Sequence, residues 1–147
     1  MSTLPNLIFP SLNLRQRESA KGRQIWCETR RQWLMLTPEE WVRRHLVGYL
    51  VQKCGVAPLS IVEEYPVPLN GQPQRADVVV VDGEGKPFWV AECKAPEIEL
   101  DDSVLEQVMR YNAVLKARYV LITNGLQLFC FELTADGYRQ LAQLPRL

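Results

Sequence analysis

The chain has 147 residues, of which 47% are hydrophobic and 23% charged, a composition typical of one soluble globular domain with its own core. Its 17 Lys and Arg residues balance 17 Asp and Glu residues, so no overall positive field favours tight unaided binding to nucleic acid. The 4 Cys residues are too widely spaced for a structural zinc site, and no apolar run approaches the roughly 20 residues that span a bilayer. We therefore expect a cytoplasmic protein with reduced thiols.

The beginning of the chain differs in character from the rest. Residues 1–24 combine Pro5 and Pro10 with polar and basic side chains, which predicts an extended arm that gains order only by docking on the remainder. Residues 25–147 are expected to form a single domain. Within residues 25–36, apolar positions bracket a polar stretch, which indicates a short strand or turn leading into a helix.

A strong helix start follows. Thr37 can cap a helix, Pro38 suits its first position, and the two acids that come next complement the helix dipole. Apolar residues at 3.6-residue spacing predict a helix from Pro38 to about Lys53. Glu39 lies at the edge of its apolar face, whereas Glu40 points elsewhere.

Strands are predicted next. Turn sequences, Asn-Gly and Asp-Gly-Glu-Gly, separate three β segments at residues 59–69, 74–81 and 87–94, which indicates an antiparallel meander. Continuous apolar runs in the second and third segments indicate that these strands are covered on both faces.

The last third of the chain predicts one more helix and a strand pair. Asp101 opens the helix, and two strands over residues 118–123 and 127–133 flank an Asn-Gly turn. A short C-terminal helix over residues 135–144 is also expected. The order α-β-β-β-α-β-β, with this optional last helix, predicts an α/β (α+β) protein in which helices pack against a sheet.

A group of charged residues lies on the second and third strands. Glu92 and Lys94 share one strand face, because side chains alternate between faces. If the connection between these strands is a hairpin with a two- or four-residue loop, Val81 pairs with Phe88 and Asp77 lies directly opposite Glu92. Opposed residues have Cβ atoms about 4.5 to 5.5 Å apart, so two carboxylates and an amine would share one patch.

Two carboxylates at this distance resist joint ionisation unless a positive charge lies between them. Few, hard oxygen ligands suit Mg²⁺ or Mn²⁺, which can polarise a phosphate and help to generate hydroxide. Lys94 could position or deprotonate an attacking water, or neutralise charge on the phosphorane. The alternative is that Glu92 and Lys94 face solvent with Asp77 as a salt-bridge partner. The adjoining apolar runs favour the metal site, since charges at the ends of buried strands need a partner.

The sequences Arg-Ala-Asp-Val-Val-Val at residues 75–80 and Val-Ala-Glu-Cys-Lys-Ala-Pro at residues 90–96 resemble the PD-(D/E)XK nuclease superfamily. More closely, the chain resembles the N-terminal nuclease domain of the type I restriction enzyme R subunit and its small standalone relatives, from about Trp33 to Leu133. The resemblance implies a restriction-endonuclease-like α-β-β-β-α-β core, with a central mixed sheet flanked by helices. It also implies metal-dependent endonucleolytic hydrolysis of DNA.

The resemblance assigns roles to four residues, one on the second predicted strand and three on the third. Asp77 and Glu92 match the metal-binding acids of the family, and Lys94 matches its catalytic lysine. The main-chain carbonyl of Cys93 would complete the coordination of Mg²⁺ or Mn²⁺, while its side chain points into the core.

The resemblance also extends to both helices. An acid on the first helix often joins the metal site, and Glu39 fits best, with Glu40 as the substitute. On the second helix, Gln107 and Tyr111 match a Gln-x-x-x-Tyr element that supports the lysine and contacts DNA. Gln107 therefore completes the expected catalytic set.

Two departures shape the expected activity. Ala76 stands where the superfamily name has Pro, a common variation. No helicase motor or Walker A sequence is present, so translocation and sequence-specific restriction would need a motor or specificity subunit. Two hypotheses stay open: a metal-dependent DNA endonuclease, or a non-catalytic or partner-dependent accessory module of a restriction or DNA-repair system. A homodimer is suggested only by analogy, because duplex cleavage needs two sites.

Other residues have simpler interpretations. His45, on the apolar face of the first helix, is expected in the core rather than as a base. Arg43 and Arg44, with their neighbours in the basic first third of the chain, are expected to be solvated charges more often than phosphate contacts. Arg75, on the face of Asp77, is the better candidate for a phosphate contact. The tryptophans are expected to be core residues rather than base-stacking platforms: Trp26, Trp33, Trp41 and Trp89.

Overall fold

The computed structural model describes residues 4–145 of the chain. The elements in these residues are β1 (Gln16–Ser19), β2 (Gly22–Cys27), β3 (Gln32–Met35), α1 (Pro38–Gln52), a 3₁₀ turn (Pro58–Ser60), β4 (Ile61–Leu69), β5 (Gln72–Val81), β6 (Pro87–Cys93), α2 (Asp102–Leu115), β7 (Tyr119–Thr123), β8 (Leu128–Thr134) and β9 (Gly137–Leu141).

Six of these strands form one mixed sheet in the order β4-β5-β6-β7-β8-β9. Neighbours are antiparallel except β6 and β7, which run parallel because α2 provides the crossover between them. Side chains of α1 pack on one face of the sheet, against Val78, Val80 and Trp89 among others. Side chains of α2 pack on the other face, against Val79 and Val90. The predicted α-β-β-β-α-β core with a mixed sheet flanked by helices is confirmed.

Capping side chains determine where the two helices begin. The hydroxyl of Thr37 accepts a hydrogen bond from the backbone N–H of Glu40 at 3.1 Å. Asp101 does the same for α2, since its carboxylate accepts from the N–H groups of Ser103 at 3.0 Å and Val104 at 3.3 Å. In the described part of the chain, neither helix is long and apolar enough to cross a membrane.

The segment expected to be an extended arm, residues 1–24, contains regular structure. Its first three residues lie outside the described range, but β1 and β2 form a hairpin, and β2 pairs with β3 in a separate three-stranded sheet. Strand β2 runs across the boundary expected at residue 24. The reason is side-chain alternation: Ile25 and Cys27 are fully buried, while Gln24 and Trp26 lie on the other face.

The C-terminal helix expected over residues 135–144 is wrong, because β9 occupies this segment and extends the large sheet. A tight turn at residues 135–136 joins β8 to β9. The hydroxyl of Thr134 donates to the carbonyl of Gly137 at 2.7 Å and accepts from the N–H of Asp136 at 3.2 Å. Gly137 has a φ of +110°, which a helix does not allow. Pairing with the edge of β8 therefore outweighs the helical tendency of this short segment.

The hairpin of β5 and β6 has the predicted register along most of its length. The observed partners are Val78 with Ala91, Val79 with Val90 and Val80 with Trp89. At the turn, however, Val81 pairs with Pro87 rather than with Phe88, because a one-residue bulge takes up the difference. The bulge is confined to the turn end, so the register still sets Asp77 across from Glu92.

Candidate functional site

Asp77 and Glu92 lie side by side on β5 and β6. The backbone N–H of Asp77 donates to Oε1 of Glu92 at 3.0 Å, and the backbone N–H of Cys93 donates to Oδ2 of Asp77 at 2.8 Å. Each carboxylate is thus held by the backbone of the opposite strand. Glu92 is 4% exposed and Asp77 is half-buried, so neither acid is freely solvated.

These surroundings change the acidity of both side chains. Burial raises the pKa of Glu92 to about 8, and the nearby charge of Asp77 adds to the effect. Burial also raises the pKa of Asp77, although the N–H of Cys93 and the charges of Arg43 and Lys94 oppose this. The two carboxyl groups titrate as a pair. At neutral pH the metal-free pair therefore retains a proton, because two negative charges in this partly dry place repel one another.

Lys94 comes directly after β6 and leads a chain of hydrogen bonds to α2. Its backbone N–H donates to the carbonyl of Thr123 at 2.9 Å, which fixes its main chain. Its ammonium group donates to Oε1 of Gln107 at 3.5 Å, the amide of Gln107 donates to the hydroxyl of Tyr111 at 3.1 Å, and that hydroxyl donates to Gln74 at 3.4 Å. The structure thus brings Lys94, Gln107 and Tyr111 together, as the resemblance implies.

The structure distinguishes between the two acids at the start of α1. Glu39 is largely exposed, yet partial desolvation and the charge of Asp77 raise its pKa, while the charges of Arg43 and Lys94 lower it. The carboxylate of Glu39 is therefore close enough to Asp77 for their charges to interact. Glu40 is buried instead, in ion pairs with Arg43 and with Arg44, the latter at 3.1 Å. Glu39 is the acid of α1 that remains available to the site.

Cys93 contributes no side chain to this site. Its thiol is fully buried on the face of the sheet that α1 covers, and burial raises the pKa of Cys93 well above its ordinary value. Only its main-chain carbonyl is left as a possible ligand. In the range 4–145, no group of three or more His, Cys, Asp and Glu side chains is arranged to hold a metal ion. The side-chain donors are therefore the Asp77 and Glu92 carboxylates, with Glu39 further away.

Arg43 and Arg44 are not the solvated charges that the sequence suggests. They are 7% and 2% exposed, respectively. Both belong to a buried ion cluster, which we define as Arg30, Glu40, Arg43, Arg44 and Glu63. The small β1–β3 sheet and its connections close over this cluster, since the thiol of Cys27 and the hydroxyl of Thr29 both donate to Glu63. Burial of this kind arises from tertiary packing, which the local sequence does not reveal.

Arg43 connects the buried ion cluster to the carboxylate pair. Its Nη1 lies 3.7 Å from Oδ1 of Asp77 and 3.8 Å from Oε1 of Glu64, and its buried Nε has no hydrogen-bond partner among the described residues. Glu64 has a left-handed backbone with φ of +54° and, by the β4–β5 register, lies across from Asp77. Such strain is concentrated at functional sites. Sequence reasoning missed Arg43, although its spacing of three residues from Glu40 gave a signal.

The remaining candidates lie apart from this arrangement or have structural roles. His45 is half-buried, with its Nδ1 2.7 Å from the carbonyl of Trp41, and burial lowers its pKa. Asn124 forms the predicted turn between β7 and β8, since its carboxamide oxygen accepts from the N–H groups of residues 126 and 127. Arg75 is exposed on β5, two residues before Asp77.

Comparison with known proteins identifies a family whose model this chain matches. The family model described as type I restriction enzyme R protein N terminus matches residues 38–145, which is most of the chain. The matched span begins at α1 and contains all of the predicted site residues. Strands β1 to β3 precede it. A comparison with curated proteins finds no significant match.

Among solved structures, a fragment assigned as the HsdR subunit of a type I restriction enzyme from Vibrio vulnificus YJ016 is similar, with a TM-score of 0.57 and 20% sequence identity. The similarity covers 75% of this chain and 24% of the other, so the chain spans about a quarter of that fragment's length. At this identity the likeness shows the fold alone. The family match does more, and on its basis the chain belongs to the family of type I restriction enzyme R protein N-terminal domains.

Proposed function

We propose that this domain is a metal-dependent endonuclease of the PD-(D/E)XK type, which hydrolyses phosphodiester bonds in DNA. The observation that supports the proposal most strongly is the facing pair of Asp77 and Glu92, with Lys94 two residues beyond Glu92 on the same strand face. Catalysis by this arrangement would depend on Mg²⁺ or Mn²⁺. The family match supports a place in a restriction system.

The donor set is suited to Mg²⁺, which keeps several of its waters and is commonly bound by one or two carboxylates. The strand backbones occupy Oδ2 of Asp77 and Oε1 of Glu92, which leaves the other oxygen of each group for an ion. Burial raises the pKa of both acids, and a bound cation would stabilise their charged forms. The carbonyl of Cys93, and Glu39 from α1, would complete the set. The bound ion would polarise the phosphate and acidify a water molecule.

Lys94 would act beside the metal ligands. Its ammonium group can hold a water molecule in line with the phosphorus atom, or stabilise the charge that develops on the phosphate oxygens. Gln107 would be its positioning residue, because the carboxamide of Gln107 is itself held by Tyr111. Arg75, exposed on the same strand as Asp77, would contact a neighbouring phosphate.

The partners follow from the proposed reaction. DNA is the substrate, and a motor or specificity subunit would supply translocation and sequence choice. Two copies of the domain would be needed to cut both strands in one event, which makes a homodimer on DNA part of the proposal.

A second candidate function is a non-catalytic or partner-dependent accessory module with the same fold. Two observations favour it. The chain has zero formal net charge, so it lacks the overall positive field of a protein that binds DNA tightly alone. In addition, Arg43 lies 3.7 Å from Asp77, which gives the carboxylate pair a protein cation in addition to any metal ion.

A plasmid-nicking assay with Mg²⁺ or Mn²⁺ separates the two candidates. We expect wild type to nick supercoiled DNA and Asp77→Ala and Lys94→Ala to lose the activity, each by about 100-fold or more. Lys86→Ala is the matched control, because Lys86 is an exposed lysine in the β5–β6 turn. Activity that survives both site substitutions would overturn the catalytic assignment. Inactivity of wild type, with the metal still bound, would support the accessory module.

A further inference from the structure

The outer face of the small β1–β3 sheet carries aromatic and basic side chains that the proposed active site does not use. We call it the Trp-Arg surface and define it as Arg15, Arg17, Trp26, Arg31 and Trp33. It precedes the family-matched span, which begins at residue 38. Neither tryptophan is the core residue that the sequence suggests, because both side chains remain half-buried at the surface.

The two indoles form the centre of this surface. Trp26 and Trp33 are direct partners across β2 and β3, with ring centroids 5.3 Å apart and planes inclined by 65°. The guanidinium of Arg17 lies 4.4 Å from the centre of the Trp33 ring. That of Arg15 lies 5.0 Å from Trp26 and 5.4 Å from Trp33. Flat aromatic and guanidinium groups are therefore placed beside one another over two adjacent strands.

The positive charge of the surface is only partly compensated. Glu28 accepts from the indole N–H of Trp26 at 3.0 Å and pairs with Arg31 at 3.4 Å. Arg15 and Arg17, in contrast, have no acidic partner within the described residues, and both are exposed. Although the whole chain is neutral, this face presents two uncompensated charges next to two indole rings that meet edge to face.

We propose that the Trp-Arg surface binds single-stranded DNA. Arg15 and Arg17 contact backbone phosphates, for which their charge is complementary. Unpaired bases stack on the planes of Trp26 and Trp33 or on the guanidinium groups that cover them. Single strands are preferred because the bases of a duplex already stack on one another and offer no free face. That the ligand is DNA rests on the proposed function, but binding to this surface needs no metal ion.

The chain connectivity relates this surface to the carboxylate pair. Strand β3 ends at Met35, and α1, which carries Glu39, begins at Pro38. The four-residue interval from Met35 to Glu39 reaches at most about 14 Å. Met35, at the end of β3, therefore lies no further than about 14 Å from Glu39, whose pKa burial and the charge of Asp77 raise.

The test is fluorescence anisotropy with a labelled oligodeoxythymidine in EDTA, so that cleavage does not occur. The charge variant is the double substitution Arg15→Ser with Arg17→Ser, and Arg110→Ser, an exposed arginine on α2, is its control. We expect the double variant to bind more weakly, with a salt dependence of log K shallower by about 1.4 for two lost phosphate contacts. Trp33→Leu should weaken binding about 5- to 150-fold with less change in the salt dependence.

Three outcomes would overturn the proposal. These are absence of binding by wild type, equal loss in Arg110→Ser and in the arginine double variant, and binding of duplex DNA or of single-stranded RNA in place of single-stranded DNA. Thermal unfolding of each variant shows whether the fold is retained, and the arginine variant keeps the test valid if Trp33→Leu unfolds. Binding is measured without metal, so its result is independent of the nicking assay. A protein that binds single-stranded DNA but does not nick plasmid would contradict the proposed nuclease function and still support binding by the Trp-Arg surface.

Discussion

Replacement of Glu92 by glutamine should stabilise the metal-free protein at neutral pH and have little effect in acid. Burial and the charge of Asp77 raise the pKa of Glu92 to about 8, from an ordinary value of 4.5. The folded state therefore keeps a proton that the unfolded state releases. Stability is unaffected below pH 4.5, falls as the pH rises between the two pKa values, and is constant above the higher one. A glutamine side chain cannot ionise, so the variant escapes this loss.

The magnitude follows from the linkage relation. At pH 7, about 2.5 units above the ordinary pKa, Glu92 lowers the free energy of unfolding by about 3 kcal/mol, at 1.36 kcal/mol per unit. This is an upper figure, since Asp77 shares the same proton. Glu92 is only 4% exposed, so solvent screens little of the effect. A glutamine at this position also retains an oxygen for the backbone N–H of Asp77.

Urea unfolding in EDTA at pH 4.5, 7 and 8 measures the effect. Glu92→Gln should exceed wild type by up to about 3 kcal/mol at pH 7 and by almost nothing at pH 4.5. Glu99→Gln, which changes an exposed acid, should match wild type throughout. Added Mg²⁺ should stabilise wild type more than Glu92→Gln, since a ligand that binds only the folded state raises its stability. A variant destabilised equally at all three pH values would refute the raised pKa of Glu92.

Three further substitutions test the surrounding structure by urea or thermal unfolding. Glu63→Gln leaves Arg44 without its main counter-charge in the buried ion cluster and should lower the free energy of unfolding by about 3 to 5 kcal/mol. A loss below about 1 kcal/mol would contradict the importance of this cluster. Asp101→Ala removes the cap of α2 and should cost about 1 kcal/mol, so unchanged stability would count against the cap. Gly125→Ala should cost about 1 to 3 kcal/mol, because the residue has φ of +84° and a Cβ would lie 2.7 Å from Leu7; a neutral result would disprove that contact.

The parts of the fold that were predictable depend on local chemistry. The Thr37 cap determines the start of α1, and the turn sequence between β5 and β6 limits their register. Once that register is known, side-chain alternation brings Asp77 opposite Glu92 and puts Lys94 on the side of α2. The bulge beside Val81 was not predictable, because it depends on how the turn closes rather than on strand periodicity.

The parts that were missed depend on contacts distant in sequence. Residues 137–141 form a strand because the edge of β8 is available for pairing, which the segment itself does not encode. Likewise, Arg43 and Arg44 have the pattern of surface charges on a helix, but the β1–β3 sheet covers them and Glu63 supplies the counter-charge. The same hidden packing makes Glu40 a structural residue and leaves Glu39 for the site.

The proposed function requires that the carboxylates of Asp77 and Glu92 hold one divalent ion. Its most direct test is a crystal structure of the protein grown with Mn²⁺, in which anomalous scattering locates the ion without ambiguity. We expect one peak about 2.1 Å from an oxygen of each carboxylate, at a distance typical of a small octahedral cation, and no such peak in Asp77→Asn. If saturating Mn²⁺ gives no peak between these two side chains, or a peak only elsewhere, the proposed metal site is contradicted.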